Sequence, residues 1–222
     1  MDIGSFVMDG LGERWAMDFG ASNYNLLETQ GVKIWDREQE SQRWDVFRYN
    51  NLAHSTLSFD NQLQEVHGYA QIDKTIQEDA LNGAMTNMSS LYSSQVKSAK
   101  RAVAIIDKAY VLVSDQIENN ATAKTMQWRM PTAATVKSMD KNSLVLEQNG
   151  KILRLKVLGK HKVNMRTWTT KSRNAYDEPN PNSLMIGFEM ELRVNSKEEI
   201  QVALVPEGSK IPKKVSTGNW FE

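Results

Sequence analysis

The dipeptide Asn149-Gly150 lies between two β-rich arms, in SLVLEQNGKILRLKVL, and restricts the fold more than any other short signal in the chain. The tight turn that best matches hairpin twist needs positive φ at both central residues, which Asn and Gly adopt at least cost. The two arms are therefore predicted to pair antiparallel. Related units recur. In SFVMDGLGERWAMDF, two short runs flank DGLG. The second run alternates Trp15, Met17 and Phe19 with Arg14, Ala16 and Asp18, the period of a half-buried strand that turns Asp18 away from its apolar face. RWDVFRYNNLAHSTLSFDNQ (43–62) reads as a strand entering an Asp-Asn turn, with Leu57 and Phe59 on one side and His54, Thr56 and Ser58 on a wet one. RAVAIIDKAYVLVSDQI is two apolar runs joined at Asp107 and Lys108, and SLMIGFEMELRV and EEIQVALVPEG supply two more strands.

Only 75–95 invites a helical reading, being rich in Ala, Met and Leu. Its apolar residues keep no clean 3.6-residue period and Gly83 interrupts it, so strand and loop are expected. Short strands with turns every ~8–12 residues and no recurring helix predict an all-β fold, an antiparallel β-sandwich of packed multi-stranded sheets over 1–222. The polar stretch 119–125, NNATAKT, is either a soft sub-boundary or a loop.

Charge and composition exclude several classes. Lysine plus arginine and aspartate plus glutamate balance at 27 each, so no overall field draws the molecule to nucleic acid or to an anionic membrane, and neither is an expected partner. The absence of cysteine excludes disulfides, thiolate catalysis and sulfur-ligated metals. No apolar run approaches a membrane span, and MDIGSFVMDG lacks the basic start and long apolar stretch of a signal peptide.

Recognition by charge must then be local. From Lys151 to Tyr176 the chain carries Lys151, Arg154, Lys156, Lys160, Lys162, Arg166, Lys171 and Arg173 without an acid. Such a strip suits a sulfated or uronate polymer, and it equally suits a solvated strand face or a guarded edge. Of the histidines, His67 and His161 read as solvated, and His54 alone is weak evidence for a site. Trp15, Trp44, Trp128 and Trp168 are expected in the core more than on sugars.

Four stretches carry a family likeness: DIGSFVMDGLGERWAMDFG, SQRWDVFRYNNLAHSTLSFDNQ, KRAVAIIDKAYVLVSDQI and TWTTKSRNAYDEPNPNSLMIGFEMEL. In this order they resemble the C-terminal β-domain of the heparinase II/III polysaccharide lyases. The resemblance implies a β-sandwich that packs on an N-terminal α/α-toroid, with acidic polysaccharide such as heparin or heparan sulfate cleaved between them by β-elimination, and an exported, periplasmic or extracellular location. This sequence holds no counterpart of the toroid. The family signature runs His, any residue, His, any residue, Asp, any residue, Gly-Ser-Phe; Asp2, Gly4, Ser5 and Phe6 match it, and Met1 follows where the second His would stand.

The resemblance further implies a divalent metal, zinc favoured and calcium possible, held by Asp18, His54 and one histidine of the pair not found here. Two ligands of three imply weak retention. Tyr24, Arg48 and Tyr49 lie near Asp18 and His54 in sequence and are candidates to line a substrate cleft, with packing or a surface hydrogen bond the commoner role for each. The catalytic Asn, His and Tyr belong to the toroid in this family, with the first His of the pair at the cleft, so no catalytic residue is assigned in this chain and the chain alone is expected to be inactive. A second class stays open: a stand-alone, non-catalytic carbohydrate-binding or structural β-sandwich.

Overall fold

The computed structural model describes residues 1–217, 220 and 221. In chain order the elements are β1 (Met8–Gly10), β2 (Glu13–Ala16), α1 (Tyr24–Thr29), three 3-10 turns (Gln42–Asp45, Phe47–Tyr49, Asn51–Ala53), β3 (Leu57–Phe59), β4 (Lys74–Glu78) and β5 (Leu81–Asn87). A further 3-10 turn (Ser89–Tyr92) precedes β6 (Ser98–Ile106), β7 (Tyr110–Glu118), β8 (Lys124–Thr132), β9 (Thr135–Asp140) and β10 (Ser143–Gln148). The remaining strands are β11 (Lys151–Val157), β12 (Asn164–Trp168), β13 (Leu184–Leu192) and β14 (Lys197–Pro206).

These strands form the expected antiparallel sandwich. An eight-stranded sheet runs β4-β5-β6-β7-β14-β11-β10-β9 and faces a four-stranded sheet, β12-β13-β8-β3, while β1 and β2 make a separate hairpin. Turn chemistry sets the register. Gln148 pairs with Lys151 across Asn149 (φ 50°) and Gly150 (φ 76°), and Leu11-Gly12 and Asp107-Lys108 are left-handed in the same way. The polar stretch near 119–125 is where the chain passes from β7 in the large sheet to β8 in the small one. Asn119 is fully buried there and donates to the carbonyls of Thr122, Leu192 and Arg193.

One core fills the space between the sheets: Met126, Trp128, Met130, Ile186 and Phe188 from the small sheet meet Val113, Ile117, Leu144, Leu153, Ile200 and Val202 from the large one. Trp128 and Phe188 stack with centroids 5.8 Å apart. The outer face of β6, β7 and β14 is buried too, because Trp220 and Phe221 come back over Ala102, Ala104, Leu112 and Ala203. Cover on both faces explains why these strands read as continuous apolar runs instead of alternating ones. Trp15 is also in the core, whereas Trp44 and Trp168 are only half-buried.

Two local expectations are corrected. Residues 43–56 are not a strand but a chain of 3-10 turns, in which Ser41 and Asn50 accept from the Arg43 and Leu52 amides and cap the first and the third turn in place. The strand that follows is three residues long, and Thr56 and Ser58 are as buried as Leu57 and Phe59, so it has no wet face. Ser58 donates to Gln127 Oε1 (2.9 Å) and accepts from Arg129 (2.6 Å), which satisfies it without water. Helix appears instead in α1, capped by Asn23, while 75–95 is strand, turn and loop as expected. Among the described residues no helix is long and apolar enough to cross a membrane.

Candidate functional site

The turns after Trp44 exist to deliver His54. Asn50 donates to the Trp44 carbonyl (2.9 Å). Asn51, 1% exposed, donates to the carbonyls of Leu57 (3.3 Å) and Gln62 (3.2 Å) and accepts from the Gln64 amide (3.1 Å). These bonds occupy backbone groups that no ladder satisfies and leave His54 extended, with its ring pointing inward. The residue is 4% exposed, buried instead of lying on the polar strand face read from the sequence.

Asp18 arrives from the other side, just past β2. His54 Nδ1 lies 2.8 Å from Asp18 Oδ2, and His54 Nε2 lies 3.1 Å from the Arg48 carbonyl. Both ring nitrogens face acceptors, so only the doubly protonated imidazole donates to both. The other oxygen, Asp18 Oδ1, accepts from the Gly20 amide at 2.8 Å. The His54 bond holds the Asp18 carboxyl below the usual carboxylate range, against partial desolvation and with help from the Gly20 N–H and the Arg48 charge.

The other sequence candidates divide into internal and open groups. Arg48 donates to Glu178 (2.7 Å), Asn180 (2.9 Å), the Pro179 carbonyl (3.1 Å) and the Ala21 carbonyl (3.3 Å). Its guanidinium is a strut between chain segments. Tyr49 is 8% exposed, and its hydroxyl donates to the Ser22 carbonyl; burial pushes this phenol up. Tyr24 is 38% exposed and packs edge-on against Tyr49 and the more exposed Trp35. Tyr24 and Trp35 thus make an open aromatic surface over Tyr49.

Sequence reading did not single out the acids that close this corner. Glu178 accepts from the Asn23 amide as well as Arg48, and Asp177 accepts from the Phe47 amide at 2.8 Å. Asn174 reaches the Asp45 carbonyl. The only available signal was the turn-rich DEPNPN run, which announces a loop but not what the loop grips.

The basic strip is not one surface. β11 is an interior strand of the large sheet and β12 an edge of the small one. Lys151 pairs with Glu13, Arg166 with Glu189, and Lys156 bonds Asn142. Lys160 and Lys162 line an open groove of about 670 Å³ together with Lys141 and His161, and none of its lining residues belongs to the Asp18–His54 cluster. His161 pairs with Glu198 at 3.7 Å, while the exposed His67 lies 3.5 Å from Glu38.

As metal donors, Asp18 and His54 fit in kind: a carboxylate and an imidazole suit zinc and tolerate other divalent ions. Their spacing of 2.8 Å is that of a direct hydrogen bond, about half an ångström short of the ~3.3 Å between two donors of one tetrahedral zinc. A small opening and loss of the shared proton would admit an ion. Among the described residues no third His, Asp or Glu joins them, so the pair does not by itself make up a metal site.

Comparison with known proteins gives the family and the fold. Residues 1–203 match the family model described as heparinase II/III-like, C-terminal. The fold is similar to heparan sulfate lyase HepC from Pedobacter heparinus, with TM-score 0.69 and 18% identity over 96% of this chain and 31% of that one. It is also similar to a structure described as heparinase III (TM-score 0.69, 15% identity, 94% and 30% covered) and to the heparinase III BT4657 gene product (0.68, 14%, 94% and 30%). The chain spans about a third of the length of these structures. A sequence search of curated proteins gave no match.

Proposed function

Because the chain belongs to the heparinase II/III-like C-terminal family, we propose that it is the β-domain of a polysaccharide lyase that cleaves uronic-acid-containing polysaccharide, of the heparin or heparan sulfate kind, by β-elimination. The observation that carries this reading is the Asp18–His54 contact at 2.8 Å between residues 36 apart, in the corner where three of the four family-like stretches meet. β-Elimination at a uronate needs its carboxylate neutralised, the C5 proton removed and the leaving oxygen protonated. In this proposal an N-terminal helical domain supplies those groups. This chain contributes one wall of the cleft: Asp18 and His54 hold a divalent ion together with a further histidine, and Arg48 with Glu178 keeps the wall rigid. When bound, the ion supplies positive charge that pins the neighbouring backbone.

Two measurements test this. The chain alone on heparan sulfate is expected to give no rise in ultraviolet absorbance from unsaturated product, and a rise refutes the assignment of catalysis to the helical partner. Elemental analysis of a form extended by His-any-His at its N-terminus is expected to show more bound zinc than this chain, and Asp18→Asn or His54→Ala to remove the gain. Equal metal in all forms returns His54 to a purely structural role.

The lysine-lined groove supports a second reading, a non-catalytic domain that binds acidic polysaccharide. Reversing Lys160 and Lys162 to Glu is then expected to lower heparin-column retention, and unchanged retention counts against it.

A further inference from the structure

The buried pair Arg101–Asp115 is not used by the site as described above, yet it touches both segments around it. Arg101 on β6 lies opposite Asp115 on β7 in register, and their side chains are 2% and 0% exposed. Arg101 Nε and Nη2 donate to the two carboxylate oxygens at 2.7 and 2.9 Å, a bidentate pair. Nη1 then donates at 2.8 Å to each of two backbone carbonyls, those of Gly4 and Ser55. Ser55 follows His54 directly. Gly4 belongs to the segment that leads into β1.

That segment has no strand partner before Met8, and its carbonyls are taken by side chains instead. Ile3 O accepts from the Thr56 hydroxyl and the Gln64 amide, both at 2.9 Å, and Gln64 also donates to Tyr92, whose hydroxyl holds the Leu57 carbonyl. Gly4 sits at φ +85°, a backbone conformation that favours glycine, and its Cα lies close to the Met88 sulfur and the Thr56 hydroxyl. A buried ion pair is a poor way to stabilise a sheet, since well-packed apolar residues commonly do as well or better. What an apolar pair cannot do is present two further N–H groups, in a fixed plane, to two separate strands of backbone.

We propose that Arg101, oriented by Asp115, is a positioning residue for the candidate site: its guanidinium clamps the His54 turn to residues 3–4 and thereby fixes the imidazole against Asp18. Lysine would keep the charge but not the two-carbonyl fork. The inference rests on reading Asp18 and His54 as the site, but not on a bound metal or on lyase activity, so a chain that takes up no zinc leaves it intact.

The experiment compares three variants of the full chain: Arg101→Lys, the apolar pair Arg101→Met with Asp115→Leu, and a core control, Leu155→Ala. Thermal unfolding gives stability, and imidazole nitrogen NMR reads the His54 ring N–H signals and their exchange with water. The apolar pair is expected to unfold within a few degrees of the parent while its His54 ring protons exchange at least tenfold faster. Arg101→Lys is expected to show the same acceleration. Leu155→Ala is expected to lose stability without changing the His54 signals. If the apolar pair and Arg101→Lys keep the parent's ring-proton exchange, or if Leu155→Ala accelerates it equally, Arg101 serves the fold alone and the proposal fails. Should the apolar pair not fold, Arg101→Lys against the control decides.

Discussion

The large sheet and the corner around His54 hold their backbones by different means. In the large sheet, N–H and C=O groups pair along the ladders and the side chains supply apolar cover on one or both faces. In the corner, 3-10 turns leave backbone groups over, and side chains such as Asn50, Asn51, Arg48, Glu178 and Asp177 take them up. The first arrangement spreads its stability over many similar contacts. The second concentrates it in a few polar side chains, which lets a buried imidazole and a half-exposed carboxylate be held face to face.

The most damaging change should fall within the small sheet, between two of its paired strands. Gly187 on β13 has φ +151°, and an added Cβ would overlap the carbonyl oxygen of Trp128 on β8. Gly187→Ala is expected to cost about 3–5 kcal/mol through backbone strain and overpacking, measured by denaturant unfolding, and to weaken both regions together. If only the corner loosened, the sandwich would not be the frame on which it depends.

Asn51→Ala would separate the regions. It leaves the Gln62 carbonyl and the Gln64 amide without their side-chain partner and the Leu57 carbonyl with the Tyr92 hydroxyl alone, for an expected loss of about 2–3 kcal/mol. Hydrogen exchange should lose protection over 50–64 and keep it in β6, β7 and β14. Equal loss in the large sheet would show that the corner does not open by itself.

The same contrast explains what was legible in the sequence. Hairpins could be read because Asn149-Gly150 and Asp107-Lys108 act within four residues, and buried strands could be read from their apolar runs. The 43–56 stretch misled because Val46, Tyr49 and Ala53 imitate a strand's apolar content, while its path depends on Asn51 reaching residues 6 to 13 positions away. Arg101 and Asp115 went unnoticed since a charge inside an apolar run gives no sign of facing another buried charge. Asp18 and His54 were picked out through family likeness; no local pattern encodes a contact between residues 36 apart.

A smaller effect is expected at the strut. Glu178→Gln keeps the shape but weakens bonds to Arg48 and the Asn23 amide, in a pair whose side chains are 14% and 27% exposed. About 1 kcal/mol should be lost, with faster exchange near Asn23 and no change in the large sheet.

Asp18 gives the mildest and most selective test, through pH. Its folded carboxyl titrates below the ordinary Asp value of about 3.9, so its contribution is fully present above that value and is lost as pH falls through the lower folded one. The side chain is 40% exposed, and solvent screening limits the contribution to less than about 1 kcal/mol. Asp18→Asn should therefore unfold slightly more easily than the parent near neutrality, and the difference should shrink toward pH 3 as the parent's carboxylate is protonated. The large sheet contributes nothing to that difference, because the only group changed lies in the corner. A difference that grew on acidification would mean that the folded carboxyl titrates above its unfolded value, and that the His54 bond does not hold Asp18 ionised.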